Sequence, residues 1–454
     1  MLLIFKQENR EKLRELVSLM LPLLATQLAI MGMQFFDTSM SGQAGNVDLA
    51  GAAIGGNIWA PLNTGFAGIL MAATPLSANY LGAGEKEKIS RVIKQGLLLA
   101  TAFALLLIIS GVFWLPWFLE RMGLEPEVYR IALGYCLGVA LGLLPFYLTT
   151  PLRCLVDTLG HTDLSMKLYL LALPINALLN YVLIFGAWGF PGMGGIGAGV
   201  ATGITYWLML GLFAWVVQKY SPFREYHCWG FSRPDPHMLK EYLRIGIPMG
   251  FSIFLEVAIF CVVAFFMAKF GTEVIAAHQA AINLSALIYM IPLSFSMALT
   301  IAVGVAYGAG NIQESRRISV LGIQLSVLIA ASYMLLEYFG RGWIAAVYSS
   351  DDGVRQLIKQ FILFELVWQI GDTVGAPCQG ILRAYKDVNA TFWSNVMAYW
   401  VICLPVGLVL DHYTELGPFS YWTSLDMGVG CSTVFLVCRL LWLQRKLLQG
   451  AAGK

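Results

Sequence analysis

Long apolar runs separated by short polar breaks dominate the chain, and none shows the two-residue alternation of a half-buried strand. Windows of about 20 apolar residues, the length a helix needs to cross a bilayer, predict twelve spans: 18–41, 50–79, 92–118, 130–152, 165–186, 195–218, 245–268, 275–304, 318–340, 355–379, 392–411 and 421–442. A membrane β-barrel would instead alternate polar and apolar over about 10 residues. The predicted class is an all-α integral membrane protein.

The longest polar stretch, Gln218–Arg244, holds three prolines and divides the spans six and six. It predicts a bundle over 1–218, a linker over 219–244 and a second bundle over 245–454. An even number of spans puts both ends on one side. If that side is cytoplasmic, about 23 of the 29 basic residues lie inside, among them Lys6, Arg10, Lys12, Lys86, Arg91, Arg316, Arg383 and Lys386, and only Arg121, Arg130, Lys269, Arg341, Arg355 and Lys359 lie outside. That excess sets orientation by the positive-inside rule, so both termini are expected in the cytoplasm. The charged start has no cleavable signal pattern, and the first span would serve as the insertion signal.

The halves repeat. A shift of 226 positions pairs Pro22 with Pro248, Ala50 with Ala276, Asn57 with Asn283, Gly82-Ala83-Gly84 with Gly308-Ala309-Gly310, and Arg91 with Arg317. An offset of 224 pairs Asp163 with Asp387. Six helices per repeat make the copies parallel, an arrangement typical of secondary transporters in which one bundle rocks against the other.

Composition narrows the class further. The 454 residues are 58% hydrophobic and 12% charged, against about 25% charged in soluble domains. A net charge of +2, spread over short loops, leaves no basic patch for nucleic acid. The eight cysteines lie mostly in apolar runs without ligand spacing and read as reduced packing residues. There is no P-loop, HExxH or GxSxG pattern, so neither ATP-driven nor enzymatic chemistry is expected. The glycine cluster Pro191–Gly203 joins two apolar helices and reads as a loop and close-packed helix start, not a nucleotide cradle.

The chemistry sits where polar groups interrupt the spans. Glu256 is the one charge before Lys269 in Gly246–Phe270, and Asp37 and Asp372 stand in similar apolar surroundings. A carboxylate at mid-bilayer costs about 2.5–3.5 kcal/mol on insertion scales and rarely faces lipid. With no basic partner evident in sequence, the three acids read as a site for a cation; the other reading is a protonated carboxyl hydrogen-bonded to a neighbouring helix. Gln34 and Thr38 flank Asp37. Asn176 and Asn180 project from one helix face, either as oxygen ligands for a hard cation such as Na⁺ or as interhelical glue. With Asp37 they could make a proton and an organic cation compete for one negative charge. His278, Gln279, Asn283 and Tyr289 form a polar stripe on span eight, where His278 alone could be a packing residue. Glu365 lies on roughly the same face as Asp372, nearer the outside. Asp351 and Asp352 read as solvated loop charges or as attractors of cations at an outer mouth.

Together these residues resemble the multidrug and toxic compound extrusion (MATE) family, NorM-like branch, over nearly the whole chain. The resemblance rests on FFDTSMSG around Asp37, NALLNYVLIFGAWGFPGMGGIGAGVAT from Asn176, FLEVAIF around Glu256, HQAAINLSALIYMIPLS from His278 and QIGDTVGAPCQGILRAYKD from Gln369. It implies a V-shaped pair of six-helix bundles and a Na⁺- or H⁺-coupled antiporter of the bacterial inner membrane. Such a protein expels hydrophobic cationic drugs and dyes, contacts lipid, acts as a monomer and needs no cofactor. The implied cation set is Glu256, Asp372, Tyr289 and His278 in the second bundle, with Glu256 and Asp372 as Na⁺ ligands. Asp37, Asn176 and Asn180 are its counterpart in the first. The implied drug contacts are Gln34, Asn57, Gln279, Asn283 and Asp351. Some relatives carry an acid where Asn180 stands and are proton-coupled through the first bundle; the amide here weakens that mechanism without excluding proton coupling through Asp37, and the Glu256/Asp372 pair tilts the expectation toward Na⁺. A lipid-linked oligosaccharide flippase of the same superfamily is the alternative; it needs a cationic cavity, whereas the embedded charges are mainly acidic and Arg153 is the one basic residue near a span interior. An integral-membrane enzyme or receptor is the remaining class, without motifs to support it.

Overall fold

The computed structural model describes residues 9–230 and 232–452, so Lys6 lies outside the described residues. All regular structure among the described residues is helical. In chain order the helices are α1 (Arg10–Ala44), α2 (Asn46–Leu70), α3 (Ala73–Gly82), α4 (Lys86–Arg121), α5 (Pro126–Leu141), α6 (Leu143–Thr158), α7 (Thr162–Phe185) and α8 (Gly195–Lys219). There follow α9 (Pro236–Met267), α10 (Thr272–Gly308), α11 (Ile312–Tyr348), α12 (Asp352–Ala384), α13 (Val388–Asn395), α14 (Leu404–Tyr413) and α15 (Phe419–Ala452).

All twelve predicted spans fall on these helices. Nine helices of the described residues are long and apolar enough by themselves to cross a membrane, and α5 with α6, bent by 44°, makes a tenth candidate. Pro145 explains the bend: it has no N–H for the Leu141 carbonyl four residues back, and the Trp207 indole donates to that carbonyl instead, at 3.0 Å. The other two predicted spans fall on α2 with α3, interrupted after Leu70, and on α12. In α12 the polar residues Glu365, Gln369 and Asp372 dilute the apolar run. Between α13 and α14 the chain forms a π-helical stretch, Val396–Cys403. Such turns gather at functional sites, and this one ends just before Pro405, which has no N–H for the carbonyl of Val401.

The chain divides into two compact units: Pro22–Gly250, and Phe251 onward together with the start of the chain up to Leu21. The divisions fall inside α1 and α9, each carrying a proline there, rather than in the polar stretch. That stretch packs on the first unit. Gln95 Nε2 on α4 donates to Ser232 Oγ and to the Arg233 carbonyl, both at 3.0 Å, while its Oε1 accepts from the Asp235 N–H at 3.2 Å. In the second unit the chain start is tied to α11 by Lys12–Glu314 at 3.2 Å and by Arg317 Nε donating to Asn9 Oδ1 at 2.6 Å.

The repeated Gly-Ala-Gly segments fold alike. Ala83 and Ala309 cap α3 and α10 by donating to the carbonyls of Asn79 and Val305, both at 3.0 Å. Gly84 and Gly310 then take φ of +75° and +76°, the left-handed region that favours glycine.

Candidate functional site

In the first unit Asp37, half-buried on α1, meets residues of α7 and α8. Asn180 Nδ2 donates to its Oδ1 at 2.5 Å and Thr202 Oγ1 to its Oδ2 at 2.7 Å. Behind them Asn180 Nδ2 also reaches Asn176 Oδ1 at 3.2 Å, and Asn176 Nδ2 reaches Thr205 Oγ1 at 3.3 Å. Both asparagines are buried, and Asn180 Oδ1 keeps no hydrogen-bond partner. The phenols of Tyr135 and Tyr206 lie within electrostatic range of Asp37. Helices α5 and α8 can come this close because of glycine: a Cβ on Gly199 would sit 2.4 Å from the Tyr135 carbonyl oxygen. The start of α8 is likewise held on α2, where the Gly195 N–H donates to Asp48 Oδ1 at 2.7 Å.

In the second unit Glu256 on α9 accepts from Asn395 Nδ2 at 3.3 Å, and the same amide donates to Ser252 Oγ at 2.8 Å. Tyr289 on α10 reaches the Glu256 carboxyl. Asp372 on α12 lies within electrostatic range of Glu256, with the Trp368 indole one turn away. The structure thus brings Glu256, Asp372 and Tyr289 together, and Asp37, Asn176 and Asn180 together. Among the described residues no three or more His, Cys, Asp or Glu cluster as a metal site, so an ion between Glu256 and Asp372 would take its further ligands from amides, hydroxyls or water.

One expectation is corrected. Glu256 does have a basic neighbour: Arg383, grouped from sequence with the loop charges, is buried in the last turn of α12 within electrostatic range of Glu256 and Tyr289. Its Nη2 donates to Gln379 Oε1 at 3.2 Å, and Gln379 Nε2 donates to Asn395 Oδ1 at 3.5 Å, closing a ring of polar groups around the acid. Glycine admits this helix as well, since a Cβ on Gly380 would lie 2.2 Å from the Ser296 carbonyl oxygen of α10. Arg153 on α6 is committed elsewhere, to Asp157 at 3.3 Å and Gln27 at 3.2 Å, with its guanidinium over the Tyr169 ring.

Among the described residues, the side chains of the remaining predicted residues do not hydrogen-bond to either acid group. His278 is buried among aromatic rings, where its Nδ1 accepts from the Trp422 indole at 3.2 Å and its ring meets Phe361 edge-on. Asp351 caps α12 by accepting from the Val354 N–H at 2.9 Å. Gln34, Asn57, Gln279 and Asn283 are exposed, and among the described residues none of them hydrogen-bonds to Asp37, Glu256 or Asp372. Sequence reasoning missed Thr202, Asn395 and Arg383. It also missed Glu337, which faces Glu365 across Gln369: Gln369 Nε2 donates to Glu337 Oε2 at 2.7 Å and to Glu365 Oε1 at 3.0 Å.

Residues 22–182 and 248–409 match the MatE family, and the two stretches begin at the same pair of prolines that the internal repeat aligns. The probable multidrug resistance protein NorM of Bacillus cereus is 43% identical over 437 residues, covering 96% of each chain. Its namesake from Bacillus subtilis is 41% identical over 447 residues, 98% of each. The fold is similar to that of a crystal structure of MATE in the straight conformation, with a TM-score of 0.87 at 16% identity over 96% of each chain. Two matched repeats and relatives this similar over nearly the full length make the chain a member of the MatE family, whose proteins are multi-pass membrane transporters and not enzymes.

Proposed function

We propose that the protein is a cation-coupled multidrug efflux antiporter of the bacterial inner membrane, exporting hydrophobic organic cations by alternating access in exchange for Na⁺ or H⁺. The observation that carries this reading is that an acid within a membrane helix in each unit is wrapped by amides and hydroxyls from other helices: Asp37 by Asn180 and Thr202, and Glu256 by Asn395 and Tyr289 with Asp372 beside it. Such groups can strip a small cation of water or exchange a proton. The names of the relatives from Bacillus cereus and Bacillus subtilis support drugs as the cargo. Ion and drug favour opposite conformations, so each promotes release of the other. Arg383 tempers the Glu256 charge without an ion pair, leaving the carboxylate able to take a cation. Both ends of the chain face the cytoplasm in this reading, and the protein works as a monomer.

The test is dye efflux from reconstituted vesicles under an imposed Na⁺ gradient and, separately, an imposed pH gradient. One of them is expected to drive efflux. Glu256→Gln and Asp372→Asn should each abolish it while protein remains in the membrane. Full efflux in both variants would remove this pair from the mechanism, and efflux under neither gradient would remove cation coupling.

A further inference from the structure

Helices α11 and α12 form a hairpin around the short connection Ser349–Asp351. Glu337 lies about three turns before that connection and Glu365 just over three turns after it, so both acids sit at one depth, roughly 16–20 Å along the helices. They are 4% and 0% exposed, and Gln369 between them is 4% exposed. The single Gln369 amide serves one oxygen of each acid, and the carboxyls lie within hydrogen-bond reach of each other. The other oxygens, Glu337 Oε1 and Glu365 Oε2, are buried without any partner, as is Gln369 Oε1.

The groups facing the pair come from several helices. Ser285 of α10 meets Glu365, and Tyr333 and Tyr348 of α11 lie within its range. Tyr333 also acts on Asp372 and stands 3.3 Å from Thr373 Oγ1. No lysine or arginine is among the groups acting on either acid. Two ionised carboxylates cannot remain in contact without a counter-charge; acids so placed share one proton. Among the described residues the pair has no third His, Cys, Asp or Glu to complete a metal-binding group, whereas a proton needs only two oxygens that face each other.

We propose that Glu337 and Glu365 hold one proton between them, a proton-binding site separate from Glu256 and Asp372, with the Tyr333 hydroxyl standing between the two groups. The site does not depend on the transport reading, because it follows from two orphaned carboxyl oxygens in a space without positive charge. Within that reading it would supply a proton store two helical turns from Asp372.

The experiment is infrared spectroscopy of the purified full chain in lipid nanodiscs at neutral pH, in a Glu256→Gln background, with ¹³C-labelled glutamate to separate glutamic from aspartic acid. The expected result is a protonated glutamic-acid carbonyl band, lost in both Glu337→Gln and Glu365→Gln, since in each the new amide N–H replaces the shared proton. The labelled parent protein is informative by itself even if a variant fails to fold, for a missing band there would overturn the proposal. So would a band unchanged in both variants, or one that vanishes at constant pH when Na⁺ is added, which would mark a cation site instead. Absence of dye efflux under either gradient from the protein with Glu256 intact, with the band present, would count against the transport reading and leave the shared proton standing.

Discussion

Thr202 shows how much a single hydroxyl can decide. Asp37 keeps two strong donors, and each hydrogen bond to a charged group contributes about 1.5–3 kcal/mol. Thr202→Val preserves the shape and removes one donor, so efflux of dye in cells should fall about tenfold or more, a factor of ten being 1.4 kcal/mol. Thr202→Ser restores the hydroxyl and should restore efflux; a valine variant as active as the parent would show that the bond is not used. The acids were legible in the sequence because a charge inside an apolar run stands out by its cost. Thr202 was not, since a threonine in a glycine-rich helix start looks like packing. Arg383 and Glu337 were hidden by boundaries. Arg383 lies past the window that ends at 379, and Glu337 lies near the end of the one that closes at 340, yet α12 continues to Ala384 and α11 to Tyr348, which places both within a helix. His278 reads as polar in sequence, but its environment depends on aromatic residues far along the chain, which spacing cannot reveal.

Several helix pairs here approach closely at glycines, as expected where lipid gives no hydrophobic drive for association. The α10–α12 crossing is the sharpest case. Gly380 lies against the Ser296 backbone, and its carbonyl accepts from Thr300 Oγ1 at 3.0 Å. Gly380→Ala has no flexible side chain to displace, so the helices must separate; overpacking of this kind costs about 1–3 kcal/mol. The variant should lose thermal stability in detergent and disturb the Arg383 end of α12, lowering efflux as well. Gly111 in α4 has nothing within 4 Å of an added Cβ, and Gly111→Ala should be neutral or stabilising, by up to about 1 kcal/mol of helix propensity. Equal melting temperatures for the two variants would refute the crossing argument. Element existence was readable from apolar length alone. What length could not give was the break in α5–α6 or the π-helical stretch, because each depends on where a freed carbonyl finds its next partner.

At the scale of the molecule, duplication is the feature most fully written in the sequence, and its clearest physical trace is the pair of Gly-Ala-Gly turns. Each turn ends a helix, places its second glycine at positive φ and leads into the next helix through the same hydrogen bonds: Glu85 N–H to the Tyr80 carbonyl at 2.9 Å, and Asn311 N–H to the Ala306 carbonyl at 3.1 Å. An added Cβ would meet nothing within 4 Å at either glycine. The cost of alanine there is therefore conformational alone, about 1–2 kcal/mol for an L-residue held in the left-handed region. Gly84→Ala and Gly310→Ala should lower the melting temperature of the purified protein by similar amounts. The two turns belong to different units and share no partner, so the double variant should lose the sum, as independent sites do. The comparison tests whether the repeat is mechanical as well as historical. A variant in one turn that is tolerated while its counterpart unfolds the protein would mean that only one copy still carries strain-sensitive structure. Equal and additive losses would mean that both halves still rely on the same turn to set the angle between consecutive helices.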